Sequence, residues 1–442
     1  GNYRPISVIG HITKFLKHEI QCQFMKFLIK HDFISINQSA YRQFHNTQTS
    51  LHKVTDDWYD NIADGLITGV CLMDIRKCFD TINHRILLNK LHNYGVSGTE
   101  HEWFKSYLSN RTQLVTCHSQ LSKEATINIG VPQGSVLGPI LFLLFINDLD
   151  KNVGLGSCNL YADDTILYCT GSSYEEVELN LQTCTAQASK WYDENKLVLN
   201  TAKCNSMFVG SSHKINDNSP QLKVEINGME IDFVNHATYL GTIIESNISW
   251  ELHIKKLCAG LGAKISQLKR LKKDCDLSKL KYIYETQIQP LIDYCITIYG
   301  NAPQCLLSCI QRKQNFCARI VLDNFDFMNT NSLELVRSLK WMNVSERYEY
   351  FIAIMVYKCI HGNAPQYLIN CFTMLHEINK YPMRESRTLD LYVPNLTNET
   401  SPKSFSYIGA KLWNDLPYAV KSCKNIETFK SLYKNSILSH DV

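Results

Sequence analysis

Apolar and polar residues follow different periods along the chain, and each period predicts a type of element. Residues 12–30 carry apolar side chains at helical spacing, and a second helical stretch runs to Asp64. The run GVCLMDI (69–75) is short and almost entirely apolar, which is typical of a buried strand ending near Asp74. Residues 84–110 return to helical spacing. The start of the chain therefore mixes helices with a buried strand.

The middle of the chain favours short strands around a core helix. Leu114–Thr116 and Ala125–Ile129 predict a hairpin, and GVPQGSVLGP (130–139) predicts a loop because it is rich in glycine and proline. ILFLLFINDL (140–149) is apolar enough for a core helix, and NLYADDTILY (159–168) fits a hairpin. The segments that follow are a helix over 174–195, a strand pair at Leu197–Leu199 and Ser206–Val209, and a hairpin from Val224–Phe233 to Tyr239–Ile244.

Strand signals fade after Trp250, and helical periodicity takes over. Apolar residues there form one stripe: Ile254, Leu257, Leu261, Ile265 and Leu268. The same segment carries seven basic residues without an acid between them, namely Lys255, Lys256, Lys264, Lys269, Arg270, Lys272 and Lys273. A solvated helix face is one interpretation of this run, and a surface for phosphates is the other. Residues 326–442 predict a further helical module.

Two adjacent carboxylates, Asp163 and Asp164, interrupt the strand-like run NLYADDTILY. Aspartate is common in tight turns, so a surface hairpin tip is one interpretation. A site for a divalent cation is the other, because hard cations take oxygen ligands from carboxylates. Asp74 ends a predicted strand in the same way and would otherwise be a helix N-cap. Three carboxylates at strand ends are what a two-metal centre for phosphoryl transfer needs.

Composition adds few restrictions. The chain has 442 residues, a formal net charge of +3 and 45% hydrophobic residues, as expected for a globular protein able to meet nucleic acid. Its 17 cysteines are scattered without a CxxC pair, which favours a reducing compartment. No apolar run approaches the roughly 20 residues of a membrane span, so no membrane partner is expected. Because the sequence starts at Gly1 without methionine, we expect a fragment of a longer polyprotein.

An ordered series of motifs carries a family resemblance. It comprises NYRPISVI (2–9), QSAYRQFHNTQTSL (38–51), DIRKCFDTINHRIL (74–87), GVPQGSVLGPILFLLFINDL (130–149), YADD (161–164), LVLNTAKC (197–204) and YLGTI (239–243). The series resembles the reverse transcriptase of non-LTR (LINE) retrotransposons, and YKCIHGNAPQYL with FSYIGAKLWNDLP resembles the jockey-type superfamily in particular. The resemblance covers essentially the whole chain.

The resemblance implies roles for matching residues. Asp74 and Asp163 match the metal-bridging carboxylates, with Asp164 completing the acidic tip. Lys203 matches a lysine that protonates departing pyrophosphate, and Phe79 matches an aromatic steric gate, with core packing as its alternative. The remaining matches are Arg42 for the incoming triphosphate, Arg4 as a finger residue, Gln133 and Gly134 against nucleotide and template, and Tyr239, Leu240 and Gly241 as the primer grip, in which backbone and ring hold the primer end.

Small departures from the family pattern leave the charged positions filled. Ala40 and Tyr41 stand where a Gly-Phe pair is commoner, Cys78 where alanine is usual, and Cys204 where threonine often follows the lysine. The resemblance implies an α+β right-hand polymerase, with a ferredoxin-like antiparallel sheet in the palm. The expected division is fingers over 1–68, N-terminally incomplete, a palm over 69–245 with a finger insertion near 95–130, a helical thumb over 246–325 and a helical C-terminal module over 326–442.

The implied function is RNA-directed DNA polymerisation with two Mg²⁺ ions, or Mn²⁺ in their place. The partners would be an RNA template, a DNA primer, deoxynucleoside triphosphates and an upstream endonuclease domain in the full polyprotein. Such a protein would act in the nucleus on genomic DNA after a cytoplasmic ribonucleoprotein stage. One alternative is a catalytically silent nucleic-acid-binding remnant, and another is a metal-dependent nuclease, which would have no use for the PQG loop or a steric gate.

Overall fold

The chain folds into two compact units. The first unit comprises residues 1–46, 67–208 and 218–234, and the second comprises 47–66, 209–217 and 235–442. The computed structural model describes residues 7, 8, 10–216, 219–378, 388–394 and 401–439. Arg4, expected in the fingers, lies outside the described residues. The four-part division into fingers, palm, thumb and C-terminal module is finer than these two units and stays a prediction.

Strands and helices are numbered in chain order. The strands are β1 (Ile67–Met73), β2 (Arg111–Gln113), β3 (Thr116–Cys117), β4 (Gln120–Leu121), β5 (Ala125–Ile127), β6 (Ser157–Tyr161), β7 (Asp164–Gly171), β8 (Asn205–Val209), β9 (Glu225–Ile226), β10 (Met229–Glu230), β11 (Asp232–Phe233), β12 (His236–Tyr239) and β13 (Thr242–Glu245). The helices to residue 194 are α1 (His11–Lys30), α2 (Thr47–Ala63), α3 (His84–Asn93), α4 (Gly98–Leu108), α5 (Gly138–Ile146) and α6 (Tyr174–Glu194).

The later helices are α7 (Glu251–Leu271), α8 (Leu277–Ile283), α9 (Gln289–Asp293), α10 (Ile296–Tyr299), α11 (Gln304–Leu322), α12 (Ser332–Ser338), α13 (Val344–Ile360), α14 (Gln366–Ile369), α15 (Leu375–Ile378), α16 (Phe405–Asp415), α17 (Tyr418–Lys421) and α18 (Ile426–Ser439). A π-helical turn at Tyr284–Ile288 joins α8 to α9.

A five-stranded sheet is the centre of the first unit, in the order β11-β8-β1-β7-β6. β7 pairs antiparallel with both β1 and β6. In chain order, helices separate β1 from the β6–β7 hairpin and the hairpin from β8, which is the βαββαβ arrangement of ferredoxin-like folds. Short β11 extends the sheet parallel to β8. The α+β class and the ferredoxin-like sheet are therefore confirmed.

Two helices, α5 and α6, bury apolar residues in the first unit. The α5 sequence GPILFLLFI is buried at almost every position, as its apolar composition predicts. α6 begins at the N-cap Ser173, whose side chain accepts from the Glu176 N–H, and it buries an apolar face. At Gly69 on β1 an added Cβ would lie 2.5 Å from a Val177 methyl group, so glycine lets α6 approach the sheet. This close packing fixes the strand that ends before Asp74.

Three sequence predictions need correction in the first unit. The helical stretch 84–110 is two helices, because the chain turns at Gly95, whose φ is +83°. The hairpin predicted around 114–129 is a β2–β5 pair that encloses a second small hairpin, β3–β4. Leu199 makes only an isolated bridge, with Ile75, instead of a strand pair. Short polar strands of two or three residues carry too few apolar positions to define their partners.

The predicted hairpin between 224 and 244 is wrong as one unit. It is the separate β9–β10 hairpin, the β11 strand of the central sheet and the β12–β13 hairpin. Tight turns at Asn227-Gly228 and Leu240-Gly241, where all four residues have positive φ, divide the stretch. Period-two alternation continues through the stretch, so the pattern alone does not separate the hairpins.

The second unit is almost entirely helical, as the pattern after Trp250 predicts. Its C-terminal part has a core of buried residues on α13, α16 and α18, including Trp413, Phe429 and Tyr357. Four residues of the predicted α7 stripe, Ile254, Leu261, Ile265 and Leu268, are buried, and the fifth, Leu257, is half-buried. No helix in the described residues is long and apolar enough to cross a membrane.

Polar residues of α2 bind the start of α16 and the segment that leads into it. Asp56 accepts from the Phe405 N–H at 3.0 Å, and Asp60 accepts from the Ser401 N–H at 2.9 Å. Burial raises the pKa of the Asp56 carboxyl well above its ordinary value. Beside it, His52 bonds the Thr297 hydroxyl at 2.8 Å, and burial lowers the pKa of His52 to about 3. Burial therefore favours the neutral forms of both His52 and Asp56 in the folded protein.

Candidate active site

Asp74 lies immediately after β1, at the edge of the central sheet. β1 pairs with β7 up to Met73 opposite Thr165, and the next step of this register places Asp74 beside Asp164. Residues directly opposite in antiparallel strands have Cβ atoms about 4.5–5.5 Å apart. The sheet register therefore brings the first predicted carboxylate to the acidic hairpin.

Asn200 and Lys203 contact the Asp74 carboxylate. Asn200 Nδ2 donates to Asp74 Oδ2 at 3.0 Å, and the Asn200 backbone N–H donates to the Asp74 carbonyl at 2.8 Å. Lys203 Nζ lies 4.0 Å from the same Oδ2, and 63% of its side chain is exposed. At that exposure the ion pair contributes little to stability. Asn200 thus orients Asp74, and Lys203 adds a positive charge beside it.

The β6–β7 hairpin presents the two adjacent aspartates. Tyr161 pairs with Asp164, so Ala162 and Asp163 form a two-residue turn. Ala162 has φ of +55°, a left-handed conformation that costs a non-glycine residue about 1–2 kcal/mol. Asp163 is half-buried and Asp164 is exposed. Such backbone strain is common at functional sites, where surrounding contacts maintain it.

Gln38 provides part of that support. Its side chain is fully buried, and its Oε1 accepts from the Ala162 N–H at 3.3 Å and the Ala40 N–H at 3.0 Å. Ser39 N–H also donates to the Leu160 carbonyl at 2.9 Å. The segment 37–42 is therefore fastened along β6, next to the hairpin turn.

Cys78 and Tyr41 lie near Asp163. The Cys78 thiol is buried and donates to Asp163 Oδ2 at 3.3 Å. Burial raises the pKa of the Tyr41 hydroxyl, and the charge of Asp163 raises it further. Burial and the charge of Asp164 raise the pKa of Tyr161 in the same way. Both tyrosines therefore keep their protons at neutral pH beside the acidic turn.

Arg42 holds the loop in which it lies. Its Nη1 donates to the Ser35 carbonyl at 2.7 Å and to the Gln38 carbonyl at 2.9 Å. These bonds place the guanidinium in the same segment that Gln38 fastens to the hairpin. The expected contact with an incoming triphosphate stays a prediction.

The steric-gate candidate and the PQG loop form one structure. Phe79 lies in a 3₁₀ turn (Cys78–Asp80), half-buried, with its ring 5.0 Å from the Phe142 ring between centroids. Its carbonyl accepts from the Val131 N–H at 2.7 Å. Gln133 Nε2 donates to Asp80 Oδ1 at 2.9 Å, and its carbonyl accepts from the Ser7 N–H at 2.9 Å. Phe79 is thus both packed against the core and partly exposed.

Gly130 allows the close approach of these two segments. Its φ is +83°, and an added Cβ would lie 2.7 Å from the Asp80 carbonyl oxygen. Its N–H donates to the Ile82 carbonyl at 2.7 Å, and His84 Nε2 donates to its carbonyl at 2.7 Å. Gly134, with φ of +88°, is exposed in the same loop. Glycine at 130 is therefore a steric requirement.

The donor set suits a hard divalent cation. Carboxylates of Asp74, Asp163 and Asp164 approach one sheet edge, and each is at least partly exposed. Oxygen ligands from one or two carboxylates are typical of Mg²⁺ sites. Within the described part of the chain, no group of three or more His, Cys, Asp or Glu side chains is arranged to hold a metal ion. The three carboxylates fit a hard cation in their chemistry, and they stand at the ends of neighbouring strands without forming a closed cage.

The predicted primer grip lies at the β12–β13 turn of the second unit. Tyr239 pairs with Thr242, and Leu240 and Gly241 form the turn. Tyr294 Oη donates to the Leu240 carbonyl at 2.7 Å. The Tyr239 ring is buried, only 3% exposed, because strand alternation points it inward together with Ala237. Gly241 is the exposed residue of the turn, so the expectation that the Tyr239 ring holds the primer is not supported.

The seven basic residues around α7 are mostly exposed, and one of them has an acidic partner elsewhere in the chain. Lys272 forms an ion pair with Asp323, and its Nζ lies 4.8 Å from the Phe325 ring centroid. Asp323 directly follows α11, far from the basic run in sequence. Among described residues, the other basic side chains of the run make no ion pair: Lys255, Lys256, Lys264, Lys269, Arg270 and Lys273.

Comparison with known proteins identifies the family. The model of the family described as reverse transcriptase (RNA-dependent DNA polymerase) matches residues 1–244, more than half of the 442 residues. The chain therefore belongs to the reverse transcriptase family, whose members use divalent metal ions and work on a nucleic-acid template and primer. The predicted resemblance to reverse transcriptases of non-LTR retrotransposons is confirmed.

Curated relatives come from mobile elements. The "Probable RNA-directed DNA polymerase from transposon X-element" of Drosophila melanogaster is 26% identical over 351 residues, which cover 78% of this chain and 38% of the relative. The "RNA-directed DNA polymerase from mobile element jockey" of Drosophila funebris is 27% identical over 343 residues, covering 75% and 37%. The chain thus spans less than two fifths of the length of these relatives.

Among solved structures, telomerase from Candida albicans in complex with the TWJ fragment of telomeric RNA is similar over 72% of this chain and 55% of that chain. The sequence identity is 14% and the TM-score is 0.35.

Proposed function

We propose that this chain is the polymerising part of a non-LTR retrotransposon protein. It extends a DNA primer on an RNA template with deoxynucleoside triphosphates and two Mg²⁺ ions. The observation that carries the proposal is the meeting of Asp74 with the Asp163-Asp164 turn at one sheet edge, beside a PQG loop fastened to the Phe79 segment. A metal-dependent nuclease has no need for the PQG loop or for the Phe79 segment.

The chain's own residues supply positioning and charge. Asp74, Asp163 and Asp164 hold the two ions, which when bound activate the primer 3′ oxygen and stabilise the leaving pyrophosphate. Asn200 orients Asp74, and Cys78 orients Asp163 through its thiol. Lys203 lies beside Asp74, and in this role its ammonium group gives a proton to the departing pyrophosphate.

Nucleotide selection belongs to the Phe79 segment and the PQG loop. A ring beneath the sugar clashes with a 2′-hydroxyl, the group that distinguishes ribose from deoxyribose. Gln133 and Gly134 face the nucleotide and template, and Arg42 binds the triphosphate. The β12–β13 turn holds the primer through its backbone, because Gly241 has no side chain to keep the primer away.

The larger protein includes an upstream endonuclease domain, and it acts in the nucleus after a cytoplasmic ribonucleoprotein stage. The primer–template duplex is held by phosphate contacts from basic residues of α7 and its C-terminal end: Lys255, Lys256, Lys264, Lys269, Arg270 and Lys273. Lys264 is half-buried and the other five are exposed.

Primer extension tests the proposal. The purified chain is given a DNA primer annealed to an RNA template, with deoxynucleoside triphosphates and Mg²⁺, and a chelator is then added and reversed. We expect extension that stops with the chelator and resumes with Mg²⁺ or Mn²⁺. Tight binding of the primer–template without any extension would refute the proposal and favour a catalytically silent nucleic-acid-binding remnant.

A further inference from the structure

A buried arginine organises the loop between α11 and α12, here called the Arg319 loop (residues 323–331). Arg319 is 3% exposed. Its Nη1 donates to the Asp326 carbonyl at 2.9 Å, and its Nη2 donates to the Thr330 carbonyl at 2.9 Å and to Ser332 Oγ at 3.1 Å. A buried guanidinium with this many partners fixes the path of the loop.

The acids of the loop are used inside the fold. Asp323 pairs with Lys272. The Asp326 carboxylate accepts from the Met328 N–H at 3.1 Å, the Asn329 N–H at 3.0 Å and Asn329 Nδ2 at 2.9 Å. These bonds lower the pKa of Asp326, and the charge of Arg319 lowers it further. Both carboxylates therefore have charged or hydrogen-bonding partners within the fold.

The same loop exposes its apolar tip. Phe327 is 64% exposed and Met328 is 93% exposed, although the guanidinium carbon of Arg319 lies 4.5 Å from the centroid of the Phe327 ring. Phe325 is less exposed, at 39%, and it contacts the Phe316 ring, with centroids 6.3 Å apart, and the Lys272 ammonium. A fixed loop that shows an aromatic ring and a thioether to solvent has the form of a binding element.

Charge indicates the kind of partner. The contact of Lys272 with Asp323 and Phe325 places the loop beside the C-terminal end of α7. Lys269, Arg270 and Lys273 are exposed there and make no ion pair with described residues. Proteins that bind single-stranded nucleic acid combine basic residues along the backbone with aromatic rings on which bases stack.

Size argues against a protein partner. An aromatic side chain buries about 150–250 Å², so a tip of two side chains falls well short of the roughly 1,200 Å² of a stable protein interface. One unpaired base, by contrast, is similar in size to the single Phe327 ring and can stack on it. We propose that the tip of the Arg319 loop stacks on an unpaired base of single-stranded nucleic acid, while the α7 end binds the adjoining phosphates. This proposal extends the proposed function by an unpaired-strand contact, and its test measures binding alone.

The test compares Phe327→Ala/Met328→Ala with the parent by fluorescence anisotropy. The probes are a labelled unstructured RNA and a blunt RNA–DNA duplex, each titrated at several salt concentrations. We expect about tenfold weaker binding of the single strand, unchanged duplex binding and an unchanged salt slope, because the substitutions leave every phosphate contact in place. Phe327→Trp should keep parental affinity. Tyr418→Ala, which removes another exposed aromatic ring of the second unit, is the matched control and should have no effect.

Each other outcome overturns the proposal. Parental affinity of the double variant for the single strand would do so, and so would an equal loss of affinity for strand and duplex. A change in oligomeric state or in binding to anionic vesicles, with RNA affinity unchanged, would instead assign the tip to a second copy or to a lipid surface. Failure of primer extension would refute the proposed function without affecting these binding results.

Discussion

Replacing Gly130 with alanine tests whether the PQG loop and the Phe79 segment act as one structure. The added Cβ would lie within 2.7–2.9 Å of three backbone atoms of Asp80. Those atoms have little freedom, because the segments are joined by the bonds from Gly130 and Val131 to Ile82 and Phe79. The positive φ costs alanine about 1–2 kcal/mol, and the overpacking costs about 1–3 kcal/mol more.

Gly228→Ala is the matched control. Gly228 is in the same unit with φ of +73°, but an added Cβ there meets nothing within 4 Å. This variant should therefore lose only the conformational cost, about 1–2 kcal/mol. For Gly130→Ala we expect a total near 2–5 kcal/mol in the free energy of unfolding, the sum of the two costs.

The assays are denaturant unfolding and steady-state incorporation of a single deoxynucleotide. In Gly130→Ala, displacement of Gln133 and Phe79 should lower kcat/KM for the nucleotide by about 10- to 100-fold. Gly228→Ala should keep the parental kcat/KM. Equal stability losses in the two variants, or parental kcat/KM in Gly130→Ala, would refute the coupling of loop and gate.

Three further predictions concern selectivity, duplex binding and stability. Phe79→Val should raise the ratio of ribonucleotide to deoxyribonucleotide incorporation about tenfold, worth about 1.4 kcal/mol, and an unchanged ratio in an active variant would assign the ring to core packing alone. Replacing Lys269, Arg270 and Lys273 with glutamine should flatten the log–log salt slope of duplex binding by about 0.7–0.9 for each phosphate that is no longer bound. Lys272→Gln is the control and should leave the slope unchanged, because Lys272 is paired with Asp323. Asp56→Asn keeps the acceptor for the Phe405 N–H. The folded pKa of Asp56 is raised, so the parent loses stability as pH rises above the ordinary carboxyl pKa of about 4. Thermal unfolding should therefore show the variant becoming more stable relative to the parent as pH rises, and a difference that does not depend on pH would contradict this.

Element types were largely predictable from local patterns. The GPILFLLFI helix and the strand before Asp74 are apolar over nearly their whole length, and α7 has a regular stripe, so burial alone defines them. The hairpin turn at Ala162 and Asp163 follows from two aspartates between strand-like runs. In each case the determining residues are neighbours in sequence.

Interactions across long sequence separations were not predictable. Asn200 bonds Asp74 across 126 positions, and Cys78 bonds Asp163 across 85. The residues next to Asn200 and Cys78 in sequence do not indicate either hydrogen bond, although both residues lie in motifs that match the family. Gln38 heads such a motif too, but its burial against the hairpin depends on how segment 37–42 pairs with β6.

The Lys272 ion pair shows the same limit for charge. Counting acids within one helix detects partners three or four residues away, whereas Asp323 is 51 positions distant. Likewise, the inward direction of Tyr239 depends on the register of β12 with β13, which the two-residue turn sets.

The most direct test of the central claim is single-nucleotide addition by Asp74→Asn and Asp163→Asn at saturating primer–template. Asp193→Asn, an exposed aspartate near the end of α6, is the control. Both site variants lose a carboxylate ligand of the catalytic ions, so we predict a rate at least about 10³-fold lower, some 4 kcal/mol in the barrier, with primer–template affinity and the control rate unchanged. Near-parental addition by either site variant would contradict the assignment of Asp74 and Asp163 as the metal-binding pair.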